Sequence, residues 1–329
     1  MLTRAKRIVH AVVGAAMSVV TSSCGAQSPA PERLPGQIYN RMVCVKAEGK
    51  ELVYTDMPGH WDLGSPSISP DGKTVAFDAL TIGVSPQRQS WLVGIDGKGL
   101  RELANGATPR WSPDGKRLVI TRDVPAGFFG LGERTPWLFE IELATGKQRR
   151  LCEGRFGDWS PDGLRLAFAR GGARVANSGV HPGSKLFIAK ADGSDPEELC
   201  SGDWPSWSPN GKKLAFYLEK GPQSRVFYIH DLETKKQTEL GSGFYRAQWA
   251  GDGQSVVSNG IWDVIGDDRF ARAPARFRLD KPGKPEFFMT DFDNPWSPCV
   301  SPDGKTIALV VDSERRRRPP DGFEEDEKK

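Results

Sequence analysis

The sequence predicts an all-β fold, a six-bladed β-propeller with four-stranded antiparallel blades, and three observations support this prediction. First, the segment Trp-Ser-Pro-Asp-Gly-Lys at residues 111–116 recurs along the 329-residue chain in six recognisable copies. Second, the glycines of these copies lie 43, 48, 48, 42 and 51 residues apart, a spacing typical of an array of one repeated structural unit. Third, the two ends of the chain each contain half of one unit. The copies begin at Ile68, Trp111, Trp159, Trp207, Trp249 and Val300.

Each copy is expected to form the turn of a β-hairpin. Proline fixes φ near −65° at the first corner of such a turn, aspartate suits the next position, and glycine accepts positive φ. A short segment that ends in a large apolar residue precedes the turn, and an alternating run such as residues 165–168 follows it. A second hairpin comes next in each unit, so each unit contains four strands. We expect the turn tryptophan to pack between blades.

The two incomplete units predict that the ring is closed by both ends of the chain. The last Ser-Pro-Asp-Gly-Lys, at 301–305, is followed by one strand and then by a polar tail. Residues 41–54 resemble a second hairpin that has no first hairpin before it. We therefore expect the N-terminal strands to complete the last blade. An open array would instead require polar caps at both ends. These arguments place the propeller at residues 37–312.

The repeat, Trp-Ser-Pro-Asp-Gly-Lys followed by Leu-Ala-Phe, resembles the WD-like repeat of the TolB propeller family. The resemblance covers about residues 37–312 and includes all six copies. It implies a non-catalytic, protein-binding scaffold of the bacterial cell envelope, with an envelope protein or peptide as its partner. Related propellers precede the hydrolase domain of prolyl-oligopeptidase-type enzymes, but the sequence contains no Gly-x-Ser-x-Gly nucleophile motif.

The N-terminus predicts export. Arg4, Lys6 and Arg7 precede an apolar run at 8–20, which is too short for a membrane span and suits a signal peptide. Small residues then lead to Cys24, as in a bacterial lipoprotein signal. We expect a signal peptide at 1–23, lipidation at Cys24, a tether at 24–36 and a periplasmic location with a lipid anchor to a membrane. Cleavage further along the chain and a buried N-terminal helix are the alternatives.

Charge and cysteine content limit the possible functions. From residue 24 onward the chain carries 42 basic and 42 acidic residues, so no basic surplus indicates nucleic-acid binding. The opposed charge blocks and prolines of residues 313–329 predict a disordered tail. The remaining cysteines have no spacing typical of a disulfide framework, and we expect buried thiols rather than bridges. They are Cys44, Cys152, Cys200 and Cys299.

Variable spacing predicts the binding face. Segment length varies mainly between the second and third strands of each unit, and length variation on one face often marks a binding surface. The corresponding predicted loops are 81–90, 123–136, 171–184, 219–224 and 259–274. Their aromatic and arginine residues are of the types enriched at interfaces, although the aromatics could instead fold back on their own loops. These candidate binding residues are Phe128, Phe129, Arg134, Arg174, Trp262, Arg269 and Phe270.

A second candidate site is the central channel. Arg110, Asp158, Ser206 and Gln248 share one position in the repeat, two residues before the turn serine. This polar variety would suit a small-ligand site of a sensor module. The alternative interpretation is ordinary solvation or hydrogen bonding between blades.

Catalytic residues, metal ligands and cofactors are not predicted. His60, His181 and His230 are scattered along the chain, and Asp291 with Asp293 fits a turn better than a calcium loop. No nucleophile motif supports a Ser-His-Asp triad. The expectation is therefore a monomeric binding protein without enzymatic activity. The competing hypothesis is a lyase or hydrolase that acts on polysaccharide or peptide at the ring axis.

Overall fold

The computed structural model confirms an all-β propeller of four-stranded antiparallel blades. It describes residues 40–46, 52–57, 60–81, 87–125, 134–172, 181–221, 224–264, 270–288 and 295–312. Every regular element in this part of the chain is a β-strand. None of the described segments forms a helix long and apolar enough to cross a membrane.

Five sheets, called blades 1 to 5, are each built from four consecutive strands. Blade 1 contains β3 (His60–Ile68), β4 (Thr74–Thr81), β5 (Arg88–Gly94) and β6 (Arg101–Asn105). Blade 2 contains β7 (Ala107–Trp111), β8 (Arg117–Pro125), β9 (Arg134–Glu142) and β10 (Gln148–Glu153). Blade 3 contains β11 (Arg155–Trp159), β12 (Arg165–Gly171), β13 (Ser184–Lys190) and β14 (Glu197–Ser201). Blade 4 contains β15 (Asp203–Trp207), β16 (Lys213–Gly221), β17 (Ser224–Asp231) and β18 (Gln237–Ser242). Blade 5 contains β19 (Phe244–Trp249), β20 (Ser255–Val264), β21 (Phe270–Arg278) and β22 (Glu286–Phe287).

A further sheet, the closing sheet, combines strands from distant parts of the chain. It contains β1 (Asn40–Lys46), β2 (Leu52–Asp56), β23 (Trp296–Val300) and β24 (Thr306–Asp312), in the order β2-β1-β24-β23. β1 pairs antiparallel with β24 from Asn40 opposite Asp312 to Lys46 opposite Thr306. The first strand of each blade contacts the first strand of the next, and β23 of the closing sheet contacts both β19 and β3.

The repeated turn is stabilised by its own serine and aspartate. In blade 3, the hydroxyl of Ser160 donates to Asp162 and accepts the backbone N–H of Arg165 at 2.9 Å. Asp162 also accepts the N–H of Leu164 at 3.0 Å, and Gly163 has φ of 71°. The hydrogen bond from Ser160 is the largest cause that lowers the pKa of Asp162. The sequence-based turn assignment is therefore explained by side-chain hydrogen bonds as well as by proline and glycine geometry.

The turn tryptophans pack between blades, as expected from the sequence. Trp159, Trp207 and Trp249 are buried, whereas Trp111 is partly exposed. The indole N–H of Trp249 donates to the carbonyl of Ser206 in the preceding blade at 3.0 Å. The guanidinium of Arg117 in blade 2 lies over the ring of Trp159 in blade 3, 4.7 Å from its centroid. Adjacent blades are thus joined through these aromatic residues.

The strands extend further into the predicted loops than we expected from the sequence, so the bounds predicted for these loops were too wide. β20 and β21 pair as far as Val264 opposite Phe270, so most of the predicted loop at 259–274 is strand. β8 and β9 likewise continue to Pro125 opposite Arg134. Backbone hydrogen bonds continue a hairpin beyond the point where its apolar alternation ends, and the sequence prediction relied on that alternation.

Three of the cysteines predicted to be unpaired are free thiols, namely Cys152, Cys200 and Cys299. Burial raises the pKa of Cys299 to about 12 and that of Cys152 to about 11. The side chains of Cys24 and Cys44, the signal peptide, the tether and residues 313–329 lie outside the described side chains.

Candidate functional site at the ring axis

A register shift interrupts the pairing of the first strand with the second strand in every blade and in the closing sheet. In blades 2, 3 and 4 the pairing register of the first two strands shifts within the three residues before the turn tryptophan. A non-glycine residue with positive φ lies at each shift: Thr108 at 53°, Phe156 at 58° and Trp204 at 53°. Such conformations are uncommon, and β-bulges redirect side chains. Ser65 and Ser297 hold the equivalent positions in blade 1 and the closing sheet, at φ of 50° and 49°.

Side-chain oxygens hold the bulges in place. The N–H of Thr108 donates to Asp78 of blade 1 at 2.8 Å, and the N–H of Phe156 donates to the Thr121 hydroxyl of blade 2 at 3.0 Å. Trp204 donates its N–H to the neighbouring Asp203 at 3.1 Å. Asp78 is buried and paired with Arg88, so its orientation is fixed. The strained backbone is therefore supported by specific contacts, two of them from the preceding blade.

The bulges place aromatic side chains at the mouth of the axis. Phe156 stacks on Trp204 with ring centroids 3.9 Å apart and an interplanar angle of 24°. His181 contacts the edge of Phe156 at 5.7 Å. All three side chains are partly exposed. Arg155, which precedes Phe156 in the chain, pairs with Ala169 near the C-terminal end of β12. The mouth therefore lies at the end of the blades where the second and third strands connect. That end is the one for which the sequence predicted a binding surface.

A buried polar cluster lies behind the aromatic residues. Nδ1 of His181 is 3.1 Å from a carboxylate oxygen of Asp203, and Arg155 approaches the same oxygen at 3.5 Å. Arg155 also donates to the carbonyl of Gly171 at 2.8 Å. The hydroxyl of Ser184 donates to the backbone carbonyl of His181 at 2.6 Å. This serine–histidine contact does not involve the imidazole ring, so the cluster does not have the geometry of a Ser-His-Asp triad.

The predicted channel residues lie at equivalent positions deeper along the axis. Arg110 is buried and donates to the carbonyls of Pro109 at 2.6 Å and Ser65 at 2.9 Å. Ser206 is buried, and Gln248 is half-buried. The Nε of Arg110 has no hydrogen-bond partner among the described residues. Arg110 thus contacts blade 1 and its own strand through a single guanidinium nitrogen, Nη1.

Asp158, the remaining channel residue, pairs with a residue that sequence analysis did not select. Its carboxylate is 2.6 Å from the guanidinium of Arg246 in blade 5, and it accepts the N–H of Trp207 at 2.8 Å. Burial raises the pKa of Asp158 to about 7, whereas the hydrogen bond from Trp207 and the charge of Arg110 favour the ionised form. Arg246 is also buried, so the pair is largely shielded from solvent.

The channel is closely packed at this depth. The space among Thr108, Arg110, Phe156, Trp204 and Arg246 does not admit a water molecule. A ligand that enters this space would require side-chain movement, and Phe156 and Trp204 are among the side chains that line it.

Most of the predicted loop residues lie outside the described side chains. These are Phe128, Phe129, Arg174, Trp262, Arg269 and Phe270. The backbone of Trp262 lies in β20 and that of Phe270 in β21. Arg134 begins β9 and is exposed. The binding role of this predicted set stays a prediction.

The residues that sequence analysis missed share one position. Thr108, Phe156, Trp204 and Arg246 each lie three residues before the turn tryptophan. Comparison of the copies at this position would have shown two aromatics and an arginine where other copies carry serine or threonine. Within the described residues, no group of three or more acidic, histidine or cysteine side chains is arranged to hold a metal ion.

Comparisons with known proteins show the fold. No protein-family model and no curated protein matches the sequence. Among solved structures, the chain is similar to a putative TolB from Agrobacterium tumefaciens, with 18% identity, a TM-score of 0.59 and coverage of 84% of this chain and 99% of that one. It is similar to TolB from Acinetobacter baumannii, with 17% identity, a TM-score of 0.51 and coverage of 84% and 64%. Hydrazine synthase from Kuenenia stuttgartiensis matches with 17% identity, a TM-score of 0.52 and coverage of 78% and 74%. The chain thus spans less than two thirds of the Acinetobacter protein, and its propeller is TolB-like in fold.

Proposed function

We propose that this chain is a non-catalytic binding protein of the bacterial cell envelope that recognises a protein or peptide partner at the mouth of its ring axis. In this proposal the closing sheet is the sixth blade of a closed propeller. The chain is exported to the periplasm and anchored to a membrane through a lipid on Cys24. The TolB-like fold and the signal-like sequence before Cys24 support these parts of the proposal.

The observation that carries the binding role is the stacked pair of Phe156 and Trp204. Both rings are partly exposed, and the supported bulges fix the backbone that presents them. Large aromatic residues that are held rigidly are typical binding hot spots, because little side-chain entropy is lost on binding. The imidazole of His181 extends the same surface.

An enzyme that acts on polysaccharide or peptide is the second candidate function. The pair of His181 and Asp203 favours it, because a carboxylate that orients an imidazole is a common feature of general bases. Against it, the hydroxyl of Ser184 is bonded to a carbonyl and is not available to that imidazole. A small-ligand sensor, the third hypothesis, would use the channel residues without turnover.

The test compares capture by the full chain and by variants at the mouth. Immobilised protein is exposed to envelope extract, and captured proteins are identified and quantified. We expect Trp204→Ala and Phe156→Ala each to reduce capture of one specific protein by about tenfold or more, as loss of a hot spot does. Leu164→Ala is the control, because Leu164 is 69% exposed beside the repeated turn, at the other end of the blade.

Melting temperatures separate a binding defect from unfolding. The binding proposal requires Trp204→Ala to lose capture while it retains a cooperative melting transition. Equal capture by wild type and both mouth variants would contradict it. Turnover of a glycan or peptide that is abolished by His181→Ala would support the enzyme instead.

A further inference from the structure

A recurring contact joins blades at the end of the ring that carries the repeated turns. The guanidinium of Arg117 lies 4.7 Å from the ring centroid of Trp159. The guanidinium of Arg165 lies 4.6 Å from the ring centroid of Trp207. In each pair the arginine is the second residue after the turn glycine, and the tryptophan begins the turn of the next blade. The arginine thus covers the aromatic face with a cation.

The same arginines approach the aspartate of their own turn. Nη2 of Arg117 is 3.5 Å from Oδ2 of Asp114, and Nη2 of Arg165 is 4.0 Å from Oδ2 of Asp162. Each guanidinium therefore lies between an indole face and a carboxylate. Arg117 also donates to Glu140 at 3.1 Å. The indole face and the turn aspartate are the contacts that both junctions share, and the chain's own arginine occupies them.

The residue types at the six junctions vary together. In the sequence, a basic residue is combined with a tryptophan at three junctions, and serine or threonine is combined with an aliphatic residue at two. The remaining junction combines threonine with tryptophan. The pairs are Thr74–Trp111, Arg117–Trp159, Arg165–Trp207, Lys213–Trp249, Ser255–Val300 and Thr306–Ile68. Only between blades 1 and 2 is a tryptophan combined with a side chain too short to cover it.

A groove of about 560 Å³ opens at that junction, and we call it the Trp111 groove. It is lined by Thr74, Trp111, Asp71 and Asp114, with Lys98 and Arg101 also in the lining. The two acidic and two basic side chains balance in charge. Among the described residues no cation lies over the ring of Trp111, whose indole N–H donates to the carbonyl of Ser67 at 2.9 Å.

Asp71 provides the second half of the site. Its Oδ1 accepts the hydroxyl of Ser69 at 2.6 Å and the N–H of Lys73 at 3.0 Å, so the carboxylate is held in place. The hydrogen bond from Ser69 is the main cause that lowers the pKa of Asp71, which keeps the group ionised. Its Oδ2 corresponds to the oxygen that approaches an arginine in blades 2 and 3.

We propose that the Trp111 groove binds the arginine side chain of a partner peptide, with its guanidinium over the indole of Trp111 and beside the carboxylate of Asp71. The ligand supplies the cation that this chain provides for itself at the Trp159 and Trp207 junctions. The groove lies beside the repeated turns, away from the Phe156–Trp204 mouth, so this site is independent of the function proposed above.

The first experiment titrates the full chain with the end-capped peptide Gly-Arg-Gly, followed by NMR signals of the tryptophan indoles. The matched control is end-capped Gly-citrulline-Gly, which keeps the shape of the side chain but has no charge. We expect the arginine peptide to bind at one site with about fivefold or more higher affinity, as a partly desolvated cation–π contact would give.

The second experiment exchanges the residue types found at equivalent positions of two junctions, Thr74 and Arg165. Thr74→Arg supplies the missing side chain and should reduce peptide affinity at least about fivefold, because the variant fills the groove with its own cation. Arg165→Thr should create an equivalent groove over Trp207 and raise the stoichiometry from one to two. Asp71→Asn, at an exposed position, should weaken binding of the arginine peptide without affecting folding.

Equal affinity for the two peptides would overturn the proposal. Unchanged binding by folded Thr74→Arg would also overturn it. If Thr74→Arg or Arg165→Thr fails to fold, Asp71→Asn decides the result, because a loss of selectivity for arginine over citrulline is expected there, and retained selectivity contradicts the site.

Discussion

The carboxylate of Asp158 and the guanidinium of Arg246 are 2.6 Å apart, although 88 residues separate them in the sequence. The pair connects blade 3 to blade 5 inside the ring. Burial of both groups is costly even though they are paired, because desolvation can exceed the attraction between two charges. The stability of the packing at the ring axis therefore depends on whether the carboxyl group of Asp158 is protonated.

Stability should therefore depend on pH through Asp158. Burial raises the pKa of Asp158 to about 7 in the folded protein, whereas the pKa of an unfolded aspartate is about 3.9. Between these values the folded state retains a proton that the unfolded state has lost, so this group makes stability fall as pH rises. We expect the free energy of unfolding of wild type, relative to Asp158→Asn, to decrease from about pH 4 to about pH 7 and then level off.

The measurement is urea unfolding of both proteins at several pH values. The turn aspartates, whose pKa values are lowered, titrate alike in wild type and in Asp158→Asn. Their contributions therefore cancel in the difference between the two free energies of unfolding. A difference that is constant across this pH range would contradict the raised pKa.

The turn serine should contribute measurably to stability. Ser160 is completely buried, and its hydroxyl bonds both Asp162 and the N–H of Arg165. Ser160→Ala leaves that N–H without its acceptor, and we expect a loss of about 1–3 kcal/mol in the free energy of unfolding. Ser194→Ala is the matched control, because Ser194 makes the same kind of bond to Asp192 at an exposed turn. If burial of the serine did not matter, Ser160→Ala and Ser194→Ala would lower the free energy of unfolding by the same amount in thermal and urea unfolding.

Glycine should be required where a first strand begins. Gly154 has φ of 149°, and a Cβ there would lie 2.4 Å from the ring of Phe168, which is completely buried. We expect Gly154→Ala to cost about 1–3 kcal/mol from overpacking, in addition to backbone strain. Gly146→Ala provides the comparison, since Gly146 also has positive φ but nothing lies near its added Cβ. If both variants lose the same stability in urea unfolding, contact with Phe168 is not the cause.

The sequence predicts the features that depend on local chemistry. The Ser160–Asp162 turn and the buried Trp159 follow from residue types repeated at fixed spacing. The pairing of β1 with β24 also follows, because both ends of the chain contain half a unit.

The features that depend on neighbouring blades could not be predicted in the same way. Positive φ at Phe156 and Trp204 runs against the preference of both residues and is imposed by support from surrounding residues. The contact of Asp158 with Arg246 likewise depends on the curvature of the ring, which no short sequence pattern specifies. Comparison of equivalent positions in the repeat would have identified Phe156 and Trp204, which loop length did not select.

The closing sheet determines the order in which the protein can fold. β1 leaves the ribosome long before β24, its partner in the sheet, so the Asn40–Lys46 strand must wait for nearly the whole chain to be made. Blades 1 to 5 can form one after another from contacts between neighbouring segments, whereas ring closure joins the most distant segments and carries the largest loop-closure entropy. Completion of the ring is therefore a late event that follows synthesis, and every incomplete chain exposes the unpaired edge of β1.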